Sequence, residues 1–344
     1  MTAPVIMSHN FAYTKNPGGV ADVAHNLSEA FRAGLPHFSE AFPSTSHPNA
    51  KVLRRFSEEI SLELKHFRKD VILFFPNYFT LPLPGSSTRN VVLVHDLQYR
   101  AYPHFHSAPK RLLLECSYRI ARRRAAGIVF ISQSTQTDFV RVFGEPACHK
   151  VIFNPVIVDR SPVDSAIKKA IGSSPYAIAN FHSYPHKNID KAFAMFSQMR
   201  RRIPDLKLVL TGRHSQIDPL LRSHGLSKEV IISTGFIPKR MVLQLVADAE
   251  LFISLSLFEG FNMAAAEAAK LGRPLILSDI PVHRELFRNY ALLVDPDVAH
   301  FPWEQFQAYL SDFKLKPRWE FFEATEPEVV ARNYKHFFEK VSVG

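Results

Sequence analysis

The sequence predicts an α/β protein built from two successive doubly wound domains, on three observations. Short continuous apolar runs recur along the chain, each ending in polar residues and separated by helical patterns, as buried parallel strands do. The pattern stops at a polar stretch rich in Ser, Lys and Gly, Asp159 to Ser174, and then restarts. The chain has 344 residues, 46% of them hydrophobic, which is too much for one ordinary core and suits two domains.

In the first half, Val5–His9 reads as a strand, Asn16-Pro17-Gly18-Gly19 as a turn, and Val20 to Ala33 as a helix. Further strands are expected at Val71–Phe75, Val91–Val94, Gly127–Ile131 and Val151–Phe153. They end in Pro76-Asn77, His95-Asp96, Ser132 and Asn154-Pro155. In the second half, strands are expected at Tyr176–Ala179, Leu206–Leu210, Val230–Ser233, Leu251–Ser256, Pro274–Leu277 and Ala291–Val294. Helices are expected at Asn188–Ile203, Lys239–Ala247 and Ala264–Leu271. The domain boundaries implied are 1–160 and 171–330, facing across a cleft of the kind ligands prefer. A closing helix over 331–344 follows from apolar residues at helical intervals between Ala331 and Val341.

Charged residues at 22% and aromatics at 12% are globular values and exclude a disordered chain. The net charge of +10 is concentrated in residues 1–150, which hold 18 Lys and Arg against 11 Asp and Glu. Such a half suits a phosphate-bearing ligand, an anionic membrane surface or nucleic acid; no nucleic-acid motif supports the last. Cys116 and Cys148 are the only cysteines, far apart, so neither a zinc site nor a disulfide framework is indicated. No run approaches the roughly 18 apolar residues of a spanning helix, and Met1 to Met7 lacks the pattern of a signal peptide. The cytoplasm is the expected address.

The most informative segment runs from Glu259 to Glu267. An apolar strand, Leu251–Phe258, leads into it and an alanine-rich helix leads out, so Glu259-Gly260-Phe261-Asn262-Met263 is a strand-to-helix corner. Ligands of open α/β sheets bind at such strand ends. Free amides at the helix start take phosphate, and the two carboxylates, eight residues apart, take hydroxyls. That combination points to an anionic ligand bearing hydroxyls.

Gly18-Gly19-Val20, His95-Asp96, Ile131-Ser132, Asn154-Pro155, Lys187-Asn188, Thr234-Gly235-Phe236 and the corner occur in the order seen in family 4 glycosyltransferases, which the chain resembles over roughly residues 16 to 298. The corner, followed by Gly272-Arg273-Pro274 and Ser278, looks like that family's glutamate-x7-glutamate signature and downstream glycine-x-proline. Phe74-Phe75-Pro76-Asn77, His95-Asp96-Leu97 and Tyr102-Pro103 are similar to bacterial mannosyltransferases of O-antigen and capsule assembly. The resemblance implies the GT-B fold, two Rossmann-like domains, and retaining, metal-independent transfer from a nucleotide sugar with no further cofactor. The acceptor implied is a glycan or lipid-linked glycan, and the first donor to consider is GDP-mannose.

It further places Glu259 on hydroxyls of the donor sugar, Glu267 on the nucleotide ribose, Lys187 on the donor phosphates and His95 beside the reaction centre. The amides of Gly260, Phe261, Asn262 and Met263 would hold the diphosphate. Asn262 stands where the family has glycine, and Asn tolerates a left-handed backbone. The family's arginine near Lys187 is absent; His182, His186 and Arg213 are the alternatives. Gly18 and Gly19 would let backbone approach the donor closely. Phe236 to Lys239 would set base selectivity. Asp295-Pro296-Asp297 imitates a metal-binding motif but reads as a loop. Basic helical stretches at Lys51–Lys69 and Lys110–Arg124 allow peripheral contact with an anionic inner-membrane surface. A non-catalytic nucleotide-sugar or glycan-binding module on the same fold is the alternative.

Overall fold

The computed structural model describes residues 3–8, 19–41, 52–76, 86–180, 184–212, 217–297, 300–313 and 318–343. Gly18, Phe181, His182 and Arg213 lie outside them. The chain divides into two compact units, residues 1–156 with 323–344, and residues 157–322.

Among its described residues the first unit holds six strands: β1 (Val5–Ser8), β2 (Phe38–Ala41), β3 (Ile72–Phe75), β4 (Arg89–Val94), β5 (Gly127–Phe130) and β6 (His149–Val151). They form one parallel sheet in the order β2-β1-β3-β4-β5-β6. Every residue of β3 and β5 is buried, which is why these strands read as unbroken apolar runs. β2 is the strand that no apolar run announced. Among the described strands it lies at the sheet edge and pairs only with β1, and its Glu40 receives two hydrogen bonds of 2.9 Å from Arg32. β6 sits two residues earlier than expected, because its register pairs His149 with Ile128. Helix Gln133–Phe143, also unannounced, starts at Ser132, whose hydroxyl accepts from the Thr135 amide at 3.1 Å.

The closing helix runs Pro327–Val343 and returns to the first unit. Tyr334 and Phe338 pack edge-on against Phe31, with ring centroids 4.9 and 6.0 Å away, and against Phe74 at 5.3 and 5.8 Å. Gly127 makes room for this helix. A Cβ there would lie 2.8 Å from Phe337 Cζ and 3.0 Å from Val341 Cγ2, both on buried side chains. Gly127→Ala is therefore expected to lower unfolding free energy by about 1–3 kcal/mol, measured by urea titration. An unchanged midpoint would mean that the helix does not sit on β5.

The two basic helices differ in detail from their sequence pattern. In helix Val52–His66, Leu64 of the expected apolar stripe is 60% exposed, while Glu59, Leu62 and Glu63 are buried. Glu63 accepts from Thr88 Oγ1 at 2.8 Å. A polar contact with the start of β4 thus shares the packed face, and hydrophobicity alone misplaces its phase. In helix Ala108–Arg124 the packed residues are Leu114, Ser117, Tyr118 and Ala121, and Leu112 is exposed.

The second unit holds β7 (Tyr176–Asn180), β8 (Lys207–Thr211), β9 (Ile231–Gly235), β10 (Leu251–Ser254), β11 (Leu275–Ser278) and β12 (Leu292–Val294). All are parallel, in the order β12-β11-β10-β7-β8-β9. Counted within the unit this is 3-2-1-4-5-6, the order of dinucleotide-binding sheets, and the strand order reverses between β7 and β10. Aromatic and methionine side chains of helix Ile189–Arg202 (Phe193, Met195, Phe196, Met199) fill one core with β7, β8 and β10. The polar stretch expected to join the domains contains a helix, Ser165–Ile171. Asp164 Oδ1 caps it from the Ala166 amide at 2.8 Å and Gly172 ends it at φ +69°. Asp, Ser and Gly serve helix ends as well as loops, so composition could not separate the two.

Candidate functional site

The reversal point is where ligands of such sheets bind, and two loops meet there. One follows β7 and forms a single 3-10 turn, Pro185–Lys187, that ends at Asn188 with φ +53°. Asn188 Nδ2 donates to the Pro296 carbonyl at 3.0 Å, tying this loop to the one after β12. The other follows β10 and carries Glu259. The Leu257 amide donates to the His186 carbonyl at 2.7 Å and laces the two loops together.

That lacing sets Lys187 against Glu259: Nζ donates to Oε1 at 2.6 Å. The side chains are only 21% and 12% exposed. Burial pushes the Glu259 carboxyl up, but the Lys187 ammonium outweighs it, helped by the Ser256 hydroxyl and His283, and holds the group below its ordinary range. Glu259 is therefore an anion at neutral pH. Of the three ammonium donors on Lys187, one goes to Glu259, and the other two have no acceptor among the described residues.

The corner itself turns through Asn262, which has φ +66° as expected for the residue in the glycine position. It then caps helix Met263–Lys270, its Oδ1 accepting from the Ala265 amide at 3.2 Å. The amides of Met263 and Ala264, at the first turn, have no acceptor among the described residues. Gly260 and Phe261, just ahead of them in the chain, are buried. Asn262 Nδ2 reaches His283 Nε2 at 2.9 Å and Ser254 Oγ at 3.2 Å. His283 is wholly buried, and burial pulls its pKa down to about 4. No motif marks His283; its only sequence signal is its place in the helix after β11, at the same end of the sheet as the corner.

Glu267 lies one turn into the helix and is 2% exposed. Lys239 Nζ holds its carboxylate at 2.7 Å. The sequence placed Lys239 near the base; the structure adds that it pairs with Glu267. Phe236, directly after β9, is 50% exposed, unusual for so large an apolar ring and suited to stacking. The structure thus brings Lys187 to Glu259, Asn262 to His283 and Lys239 to Glu267, all at strand ends of one sheet. His186 is buried and stacks on exposed Tyr184, with centroids 5.6 Å apart.

Gly19 and His95 belong to the first unit. Gly19 opens helix Gly19–Gly34, and a Cβ on it would meet nothing within 4 Å among the described residues. His95 follows β4, and its Nε2 lies 2.7 Å from the Pro76 carbonyl. A carbonyl only accepts, so Nε2 carries the proton and Nδ1 presents a lone pair. Burial draws its pKa down to about 4, which keeps this neutral form. Asp96 caps the following turn, its Oδ1 accepting from the Gln98 amide at 2.8 Å.

Asp295 Oδ1 accepts from the Asp297 amide at 2.8 Å, and Asp297 faces Lys191 at 3.5 Å, so this pair builds a loop. Among the described residues no group of three His, Cys, Asp or Glu side chains could hold a metal ion. No described helix is long and apolar enough to cross a membrane.

Residues 168–319 match the family model described as glycosyl transferases group 1. O-antigen chain mannosyltransferase B of Escherichia coli is 26% identical over 243 residues, 67% of this chain and 62% of its own. GDP-mannose:cellobiosyl-diphosphopolyprenol alpha-mannosyltransferase of Xanthomonas oryzae is 27% identical over 214 residues, 60% of this chain and 54% of its own. The matches thus span less than two thirds of these relatives. Among solved structures, sucrose-phosphate synthase from Thermosynechococcus elongatus aligns with a TM-score of 0.67 at 15% identity, over 99% of this chain and 96% of that one. Anabaena HepE in complex with UDP-glucose aligns with 0.67 at 16% identity, over 99% and 98%. Residues 168–319 are accordingly similar to the glycosyl transferases group 1 family, in a chain of the GT-B fold that is similar to bacterial mannosyltransferases of O-antigen assembly.

Proposed function

We propose that the protein is a retaining, metal-independent glycosyltransferase. It moves a hexose, in the first instance mannose from GDP-mannose, to a hydroxyl of a growing lipid-linked surface glycan. The observation that carries this reading is the Lys187–Glu259 pair at the reversal point of the second sheet, beside the open first turn of helix Met263–Lys270. An ammonium and helix-end amides suit a diphosphate, and a buried carboxylate suits sugar hydroxyls. Phe236 offers a face to the base, and Glu267 with Lys239 lies where the ribose would follow. The word GDP-mannose in the name of a relative supports the donor, and diphosphopolyprenol in the same name supports a lipid-linked acceptor.

In the reaction, the bond from the acceptor oxygen to the anomeric carbon forms as the bond to the diphosphate breaks. The acceptor proton passes to the leaving diphosphate. The protein's part is orientation and stabilisation of growing charge, chiefly by Lys187. The first unit would receive the acceptor, with His95 Nδ1 accepting from a sugar hydroxyl. Its excess of Lys and Arg and the exposed Leu64 and Leu112 on basic helices support peripheral attachment to the inner face of the plasma membrane, from the cytoplasm.

Thermal shifts with a panel of nucleoside diphosphates and their sugars test the reading. GDP compounds are expected to raise the melting temperature of the wild type, and Glu267→Ala to lose most of that rise. A shift with UDP compounds alone would remove mannose from GDP-mannose as the donor. No shift with any of them would overturn the donor site.

A further inference from the structure

Asn262 has a positive φ, which costs a non-glycine residue free energy unless its surroundings impose it. Its side chain shows what does so. The Ala265 amide can only donate, so the atom 3.2 Å from it is the Asn262 oxygen, and the nitrogen points the other way, to His283 Nε2 at 2.9 Å. At the far end, the Ser278 carbonyl can only accept, so His283 Nδ1, 2.8 Å from it, carries the ring proton. Nε2 is then an acceptor, and it receives the Asn262 Nδ2 hydrogen. Every donor and acceptor in this chain is matched, and only for a neutral imidazole. The chain runs from the end of β11 to the first turn of helix Met263–Lys270 and is buried along its length. Ser278, at its origin, is itself fixed by donating from Oγ to the Ser256 carbonyl.

We infer that His283 is a positioning residue for the diphosphate of the donor: by anchoring Asn262 it holds the left-handed turn that aims the Met263 and Ala264 amides at phosphate. This rests on the donor reading above. Asn262 makes no use of its side chain toward the ligand, since both ends are occupied within the protein. Glycine would hold the same turn with no anchor; with asparagine there, the turn depends on a residue 21 positions away.

The test is a double-mutant cycle on the full chain, read by KM for GDP-mannose, by kcat and by melting temperature. His283→Asn keeps a donor near Nδ1 but removes the Nε2 acceptor, whereas His283→Gln keeps an acceptor near Nε2. His283→Asn is expected to raise donor KM about tenfold with a smaller change in kcat. His283→Gln is expected to recover most of that loss. In the Asn262→Gly background, His283→Asn is expected to change donor KM less than about twofold. Equal losses in both backgrounds, or a folded His283→Asn protein with wild-type KM, would overturn the inference. A wild type that neither binds nor turns over a nucleotide sugar would remove the donor reading and the inference together. A wild type that binds normally while the cycle shows no coupling removes the inference alone.

Discussion

Glu259→Ala is expected to lower the rate of sugar transfer by about 10²–10³-fold, the usual effect of removing one preorganised polar group from a reaction centre. Two losses combine. In the proposed reaction the sugar hydroxyls lose a charged acceptor, and Lys187 loses the partner that fixes its Nζ at 2.6 Å. Lys187→Ala should cause a loss of similar size for a different reason, because in the proposed reaction the leaving diphosphate would then be less well neutralised. Since the two side chains act as a unit, the double variant is expected to be little worse than either single one. Glu259→Gln separates charge from shape. It keeps an oxygen for Lys187 and for a hydroxyl, so near-normal melting with a strongly reduced rate is expected. Steady-state kcat and KM for the donor, with melting temperatures alongside, decide the matter. Wild-type turnover in a folded Glu259→Ala protein would reduce the pair to a structural bridge between two loops.

The second large effect concerns acid. His283 is neutral and fully buried, with its pKa drawn down to about 4 from the ordinary 6.5. Between those values the unfolded chain binds a proton that the folded chain refuses. Stability contributed by the neutral ring is therefore complete above pH 6.5 and is lost as pH falls toward 4. From pH 7.5 to pH 5 the expected loss is about 2 kcal/mol from this one residue. Glu259 acts in the next window down. Its folded carboxyl titrates below the ordinary 4.5, so its contribution persists above that value and disappears as pH falls through the folded pKa. Around His283 the charged neighbours are Glu259 and Asp279, which favour its protonation, and Lys187, which opposes it; burial exceeds all three. Urea titrations of the wild type and His283→Gln at both pH values check the assignment. The variant should lose about 2 kcal/mol less than the wild type over this interval, and equal losses would mean that His283 does not titrate there. His95 has a similarly lowered pKa in the other unit, and it is unchanged in this comparison.

Much of the fold was legible because buried parallel strands cannot hide. β3, β4, β5, β7, β8, β10 and β11 are covered on both faces, so each is an apolar run, and each was found within one or two residues of its expected place. β2 escaped because an edge strand needs little hydrophobicity and can carry Glu40. Helix Ser165–Ile171 was hidden by cap residues that also make loops. The corner from Glu259 to Glu267 was legible for a different reason: a strand, a turn and a helix follow one another within a few residues, so local rules suffice.

What the sequence determined by itself is therefore local: the strand runs, the helix start at Asn262, and the left-handed backbone that an asparagine there can adopt. Only the tertiary structure decided the partners. Lys187 and Glu259 are 72 residues apart, Lys239 and Glu267 are 28 apart, and Asn262 and His283 are 21 apart. Each pairing depends on which strands become neighbours where the strand order reverses between β7 and β10. Burial at that reversal makes the pairs matter, because a charge or an amide removed from water must be matched by a partner, and only the assembled sheet supplies one.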